Sequence, residues 1–167
     1  EISILTEKNM GLAINAAKRD LGAKGQETDF TGVVMDAFLK GRYLLQQKPA
    51  GYLKYAQAYS VVAVDQWEQT IAATVIHYIN HVIADLEMYG VKAANSPQDS
   101  GYHFLNLAKH YSEMKGFALG FQFNPNSSVS VQNFNKLHAL MGDVPALPQQ
   151  GGVGSSVSKL KEARTIL

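Results

Sequence analysis

PAGYLKYAQAYSVVAVDQWEQTIAATVIHYINHVIADLEM, residues Pro49 to Met88, decides the fold class. Apolar side chains recur along it at helical spacing, with no period-2 alternation. Pro49 suits the first turn of a helix, and nothing after Gly51 breaks the pattern before Tyr89-Gly90. That makes a helix of about 38 residues, over three times the usual length, so it is expected to kink or break. Between Lys54 and Lys92 there is no Lys or Arg, only Asp65, Glu68, Asp85 and Glu87. A helix on a free surface shows a mixed-charge face, so this one is expected at the centre of a bundle. Tyr52, Tyr55, Tyr59, Trp67 and Tyr78 are expected to pack among its neighbours.

Five further helices fit around it. The first spans about Glu7 to Lys18, with Lys18-Arg19 in the last turn, where cations suit the helix dipole. A second starts at the N-cap pair Thr28-Asp29 and runs to about Gln47. Lys92 to Ser100 reads as a loop, and a fourth helix follows from Gly101 to about Phe123, stopped by Asn124-Pro125. The fifth is capped by Ser130 and closed by Gly142. Residues 142–156, which include DVPALPQQGGVGSS, read as an irregular surface segment, and Ser158 to Ile166 as a short last helix. The expected fold is all-α, a helical bundle with one long central helix. Residues 1–167 show no repeat or boundary and read as a single helical domain, or part of a larger helical protein.

Composition narrows the function classes. The 167 residues are 46% hydrophobic, which argues against disorder, and only 17% charged, so part of the surface is expected to be covered. Fifteen Lys+Arg against fourteen Asp+Glu leave +1, without the clustered positive excess that nucleic-acid binding needs. No apolar run is long enough for a transmembrane segment. Zero cysteines exclude disulfides, thiol nucleophiles and thiolate metal sites. Opening on Glu1 rather than Met, the chain is expected to be a processed or truncated product.

Chemistry concentrates in two polar stripes. At about 100° per residue, Gln66, Thr70, Thr74, His77, His81 and Asp85 share one face of the long helix. His77 and His81, four residues apart, can present two imidazoles to one metal, with Asp85 as third ligand or orienter. On the fourth helix His103, Asn106, His110 and Glu113 share a face, and His110-x-x-Glu113 is the spacing by which bundle helices project ligands inward. The candidate metal ligands are therefore His77, His81, Asp85, His103, His110 and Glu113. If the two faces met, the mixed imidazole and carboxylate set would suit iron, zinc or manganese. Each stripe also has a bland reading, a solvated or hydrogen-bonded helix face.

Other motifs read as structural. Gly116 and Gly120 would clear a helix face for close approach by a neighbour. Gly151-Gly152-x-Gly154 lacks the preceding strand and the following Lys-Ser/Thr of a phosphate loop. No nucleophile-elbow motif accompanies the Ser, His and Asp residues. Asn126-Ser127-Ser128 fits a glycosylation sequon, and His138 reads as a surface residue.

DQWEQTIAATVIHYINHVIADLEMYG (Asp65 to Gly90) and LAKHYSEMKGFALGFQFNP (Leu107 to Pro125) resemble a bacterial domain-of-unknown-function family of secreted or lipid-anchored envelope proteins. The resemblance covers roughly Gly11 to Pro148 and extends distantly to imelysin-like proteins, which are helical, envelope-located and linked to iron uptake. It implies an imelysin-like helical fold in a bacterial periplasmic, outer-membrane-anchored or secreted lipoprotein. The imelysin Gly-x-His-x-x-Glu motif is matched here by Gly101-Tyr102-His103-Phe104-Leu105-Asn106, in which Asn replaces the acid. His110 and Glu113 form the chain's one His-x-x-Glu.

Three functions follow from these readings. The first is a cell-envelope helical binding protein, metal- or iron-related, with no assigned catalysis. The second is a structural or interaction module that assembles with the remainder of its own precursor or another envelope protein. A metallopeptidase ranks last, because His-Glu-x-x-His is absent.

Overall fold

Six α-helices and one 3-10 segment occupy the described residues of this computed structural model, which are 11–20, 28–95, 104–147 and 151–167. There is no strand among them. The helices are α1 (Leu12–Arg19), α2 (Phe30–Gln47), α3 (Tyr52–Asn95), α4 (Phe104–Ala118), α5 (Val131–Met141) and α6 (Val153–Arg164). The 3-10 segment, Leu119–Phe123, continues directly from α4. The residues divide into two compact units, one ending at Ile71 and one beginning at Ala72, so the division falls inside the 44-residue α3.

In the first unit, α1 packs on α2 through small side chains, with Ala13, Ala16, Phe30, Val34 and Ala37 buried. Asp29 caps α2 by accepting from the Gly32 amide at 2.8 Å. A Cβ at residue 32 would run into that carboxylate, so glycine there leaves room for the cap. Thr28 Oγ1 donates to the Arg19 carbonyl at 2.8 Å, and Asp20 Oδ1 accepts from the Thr31 amide at 3.3 Å, which tie the end of α1 to the start of α2. Lys48 ends α2 in the left-handed region (φ 47°), a position where glycine is commoner. Pro49 cannot continue the helix, and Gly51 (φ 74°) turns the chain into α3. Across this hairpin a Cβ at Gly41 would stand 4.0 Å from the Cβ of Tyr59.

The larger core lies in the second unit. Val75, Ile79, Val82, Ile83 and Leu86 of α3 are buried, as are Leu107, Tyr111, Met114 and Ala118 of α4. Phe121, Leu137, Met141, Val157, Leu160 and Ala163 complete it from the 3-10 segment, α5 and α6. Ser130 caps α5 by accepting from the Asn133 amide at 3.2 Å. Gly142, at φ 76°, closes it, and its carbonyl accepts from Tyr111 Oη at 2.6 Å and Lys115 Nζ at 2.8 Å. Two α4 side chains thus satisfy a backbone acceptor that the end of a helix leaves open.

Several boundaries and burials differ from expectation. The long helix passes Gly90 and reaches Asn95, where a loop from Lys92 was expected. Lys92, Ala93 and Ala94 are strong helix formers that offset one glycine. The last helix begins at Val153, five residues before Ser158, because Val157 joins Leu160 and Ala163 in its buried stripe. The expected irregular segment is correspondingly shorter at its end. None of the α3 aromatics counted as core is buried: Tyr52, Tyr59, Trp67 and Tyr78 are half-buried and Tyr55 is exposed. Gly116 gives no close approach, since a Cβ there would meet nothing within 4 Å. The start of the first helix (7–10), the Ser96 to Ser100 loop and the Gly101 to His103 start of the fourth helix lie outside the described residues.

Candidate functional site

The two polar stripes of α3 and α4 meet within the second unit. Helical spacing stacks His77, His81 and Asp85 one turn apart along α3. The imidazole centroids of His77 and His81 are 4.2 Å apart, with planes tilted by 45°. From α4, His110 presents its ring to His81 edge-on, at 4.7 Å and 87°. Asp85 Oδ2 lies 2.7 Å from His110 Nδ1. An ionised carboxylate only accepts, so His110 Nδ1 carries the proton and donates, which leaves Nε2 as the nitrogen with a free lone pair in the neutral ring. Asp85 therefore orients a histidine on the neighbouring helix, an arrangement in which carboxylates set the tautomer of metal-binding histidines.

Aromatic side chains flank the imidazoles. The Tyr78 centroid is 5.1 Å from His77, 6.3 Å from His81 and 6.2 Å from His110. It also stacks on Phe117 of α4 at 5.9 Å and 14°. His81 is exposed, whereas His77, Asp85 and His110 are half-buried. The group is a surface-opening cluster with an apolar wall.

Two imidazoles bound side by side to one ion, at Zn–N distances near 2.0–2.1 Å, have centroids about 4.5–5.2 Å apart. The His81–His110 separation of 4.7 Å falls in that interval, and the 4.2 Å of His77–His81 lies below it. No group of three His, Cys, Asp or Glu among the described residues is arranged to hold an ion. What the described residues bring together is the His81–His110 ring pair, with Asp85 hydrogen-bonded to His110.

No family model, curated protein or solved structure matches this chain. Its chemistry has to be read from its own residues.

The remaining candidates fall elsewhere. His103 lies outside the described residues, and Asn106, on the same face, is exposed. Glu113 is half-buried, and its Oε2 is buried without a hydrogen-bond partner. Thr70 and Thr74 are fully buried rather than solvated, with Thr70 Oγ1 donating to the Gln66 carbonyl at 2.9 Å.

His138 is not the surface residue its sequence context suggested. It is half-buried, with Nε2 buried and without a hydrogen-bond partner, and its ring lies 4.5 Å from that of Phe134. Burial pushes its pKa below the ordinary imidazole value and the Lys115 ammonium pushes the same way, against a hydrogen bond with the Ala118 backbone. Burial also lowers the Lys115 ammonium, opposed by Asp143, and raises the Tyr111 phenol to about 12, with Asp143 adding to the rise. Sequence spacing gave no sign of this group, because its members approach only when α5 folds onto α4.

Proposed function

We propose that this chain is a helical binding protein of the bacterial cell envelope that takes a transition-metal ion, iron or zinc, between His81 and His110. No catalytic role is assigned to it. The supporting observation is the 2.7 Å contact of Asp85 Oδ2 with His110 Nδ1, together with the edge-on His81 ring at 4.7 Å. A carboxylate–histidine pair costs side-chain freedom on both partners, and a metal ligand needs that fixed orientation. His77, next in line at 4.2 Å, extends the imidazole row. Two ligands from the chain leave positions for water or for donor atoms of an incoming chelate, which suits binding and transfer better than a closed structural site. The envelope location rests on the resemblance of Asp65 to Gly90 and Leu107 to Pro125 to secreted and lipid-anchored proteins. No helix among the described residues is long and apolar enough to cross a membrane.

Calorimetric titration with Zn²⁺ and Fe²⁺ tests the reading. The chain is expected to bind one equivalent, and a His81→Ala, His110→Ala double variant to bind none. Asp85→Asn, which keeps the size of the side chain and loses the charge, is expected to weaken binding about 10–100-fold. Identical isotherms for all three proteins would overturn the assignment.

A further inference from the structure

The first unit carries a second feature, independent of the histidine cluster. From Phe38 to Val62, along the second half of α2, the turn and the start of α3, no residue is buried. Yet this hairpin holds Phe38, Leu39, Leu44, Leu45, Leu53, Val61, Val62 and four of the chain's eight tyrosines. Tyr43, Leu45, Leu53 and Tyr55 are each more than half exposed. On either flank a groove runs between the two helices, of 460 Å³ beside Leu39, Tyr43 and Tyr55 and 450 Å³ beside Phe38, Leu45 and Ala56. At about 100° per residue, Tyr43 and Leu45 fall on opposite flanks of α2. The apolar surface thus surrounds the hairpin rather than forming one stripe, whereas docking on one partner helix calls for a single stripe.

Charge identifies the occupant. Between Ala37 and Val64 there is no Asp or Glu, while Lys40, Arg42, Lys48 and Lys54 are all present and exposed. Asp36, just outside, pairs with Lys40 at 2.7 Å. Lys48 and Lys54 bracket the turn beside Leu45 and Leu53. Cations on long apolar stems, tyrosines and exposed leucines around one tip match the interface of an anionic bilayer. There leucines enter the acyl boundary, tyrosines sit at headgroup level and lysines reach lipid phosphates. We propose that the α2–α3 hairpin is a peripheral docking element for anionic phospholipid membranes, inserted by its Leu45–Tyr55 tip.

Flotation of the full chain with vesicles tests this. The chain is expected to float with phosphatidylcholine vesicles containing one third phosphatidylglycerol, to stay behind with pure phosphatidylcholine, and to be released by added salt. Lys48→Glu/Lys54→Glu and Leu53→Ser/Tyr55→Ser change only exposed or half-buried positions, so each should keep the parent's helical circular dichroism. Each is expected to lower partitioning at least about tenfold. The His81→Ala, His110→Ala variant is expected to float like the parent, so a failed metal site leaves this result unchanged. Absence of flotation with the anionic vesicles, or parental flotation of both hairpin variants, would overturn the proposal. So would a dimer that vesicles do not dissociate and that Leu53→Ser/Tyr55→Ser breaks, since a second copy would then cover the hairpin.

Discussion

His138 shows how a single side chain couples this fold to pH. Burial first, then Lys115, holds its imidazole below the ordinary value of 6.5, so the folded chain keeps it neutral where the unfolded chain would protonate it. A proton bound more readily by the unfolded state lowers stability as pH falls. The contribution is intact above about pH 6.5 and is lost as pH descends from there to the lowered folded value. Thermal unfolding followed between pH 7.5 and pH 5 is expected to show a smaller acid-induced drop in Tm for His138→Gln than for the parent. Equal drops would place the acid sensitivity elsewhere. Asp85 is a different case. Its spacing from His77 and His81 suggests a ligand or an orienter of that pair, and its hydrogen bond runs instead to His110, 25 residues away on another helix.

At the scale of elements, local chemistry sets the helix ends, whereas packing depends on what each face meets. Asp29 and Ser130 start their helices and Gly142 ends one as their chemistry predicts, because caps depend on residues three or four apart. The meeting of the α3 and α4 stripes was foreseen only as a condition, since helical periodicity fixes a face but not what faces it. Gly116 departs from expectation for the same reason. Glycine in a helix suggests a close neighbour, yet its position in α4 is exposed and open. Gly116→Ala is therefore expected to stabilise the chain by about 0.5–1 kcal/mol, through helix propensity alone. Thermal or urea unfolding reads the gain, and a loss would mean that another surface approaches there. The stretch of α3 between Lys54 and Lys92, free of Lys and Arg, is expected at the centre of a bundle, yet its Val61, Val62 and Val64 are exposed. Low charge records what a surface avoids, and it does not distinguish a protein neighbour from a bilayer.

At the scale of the whole molecule, the described residues form two compact units. From Ala72 onward five elements share one core, and this is the unit that brings the imidazoles together. Among the described residues up to Ile71, four of the eight buried ones are alanines, while Tyr43, Leu45, Leu53 and Tyr55 are exposed. No sequence break marks the division, because it falls within a continuous helix. The central claim is that His81 and His110 act as one ligand pair, and imidazole nitrogen resonances during Zn²⁺ titration test it most directly. The account predicts that the His81 and His110 signals shift together and saturate at one equivalent, while those of His138 stay in place. Signals of His81 and His110 that remain unmoved, or that shift only alongside His138 at large excess, would contradict it.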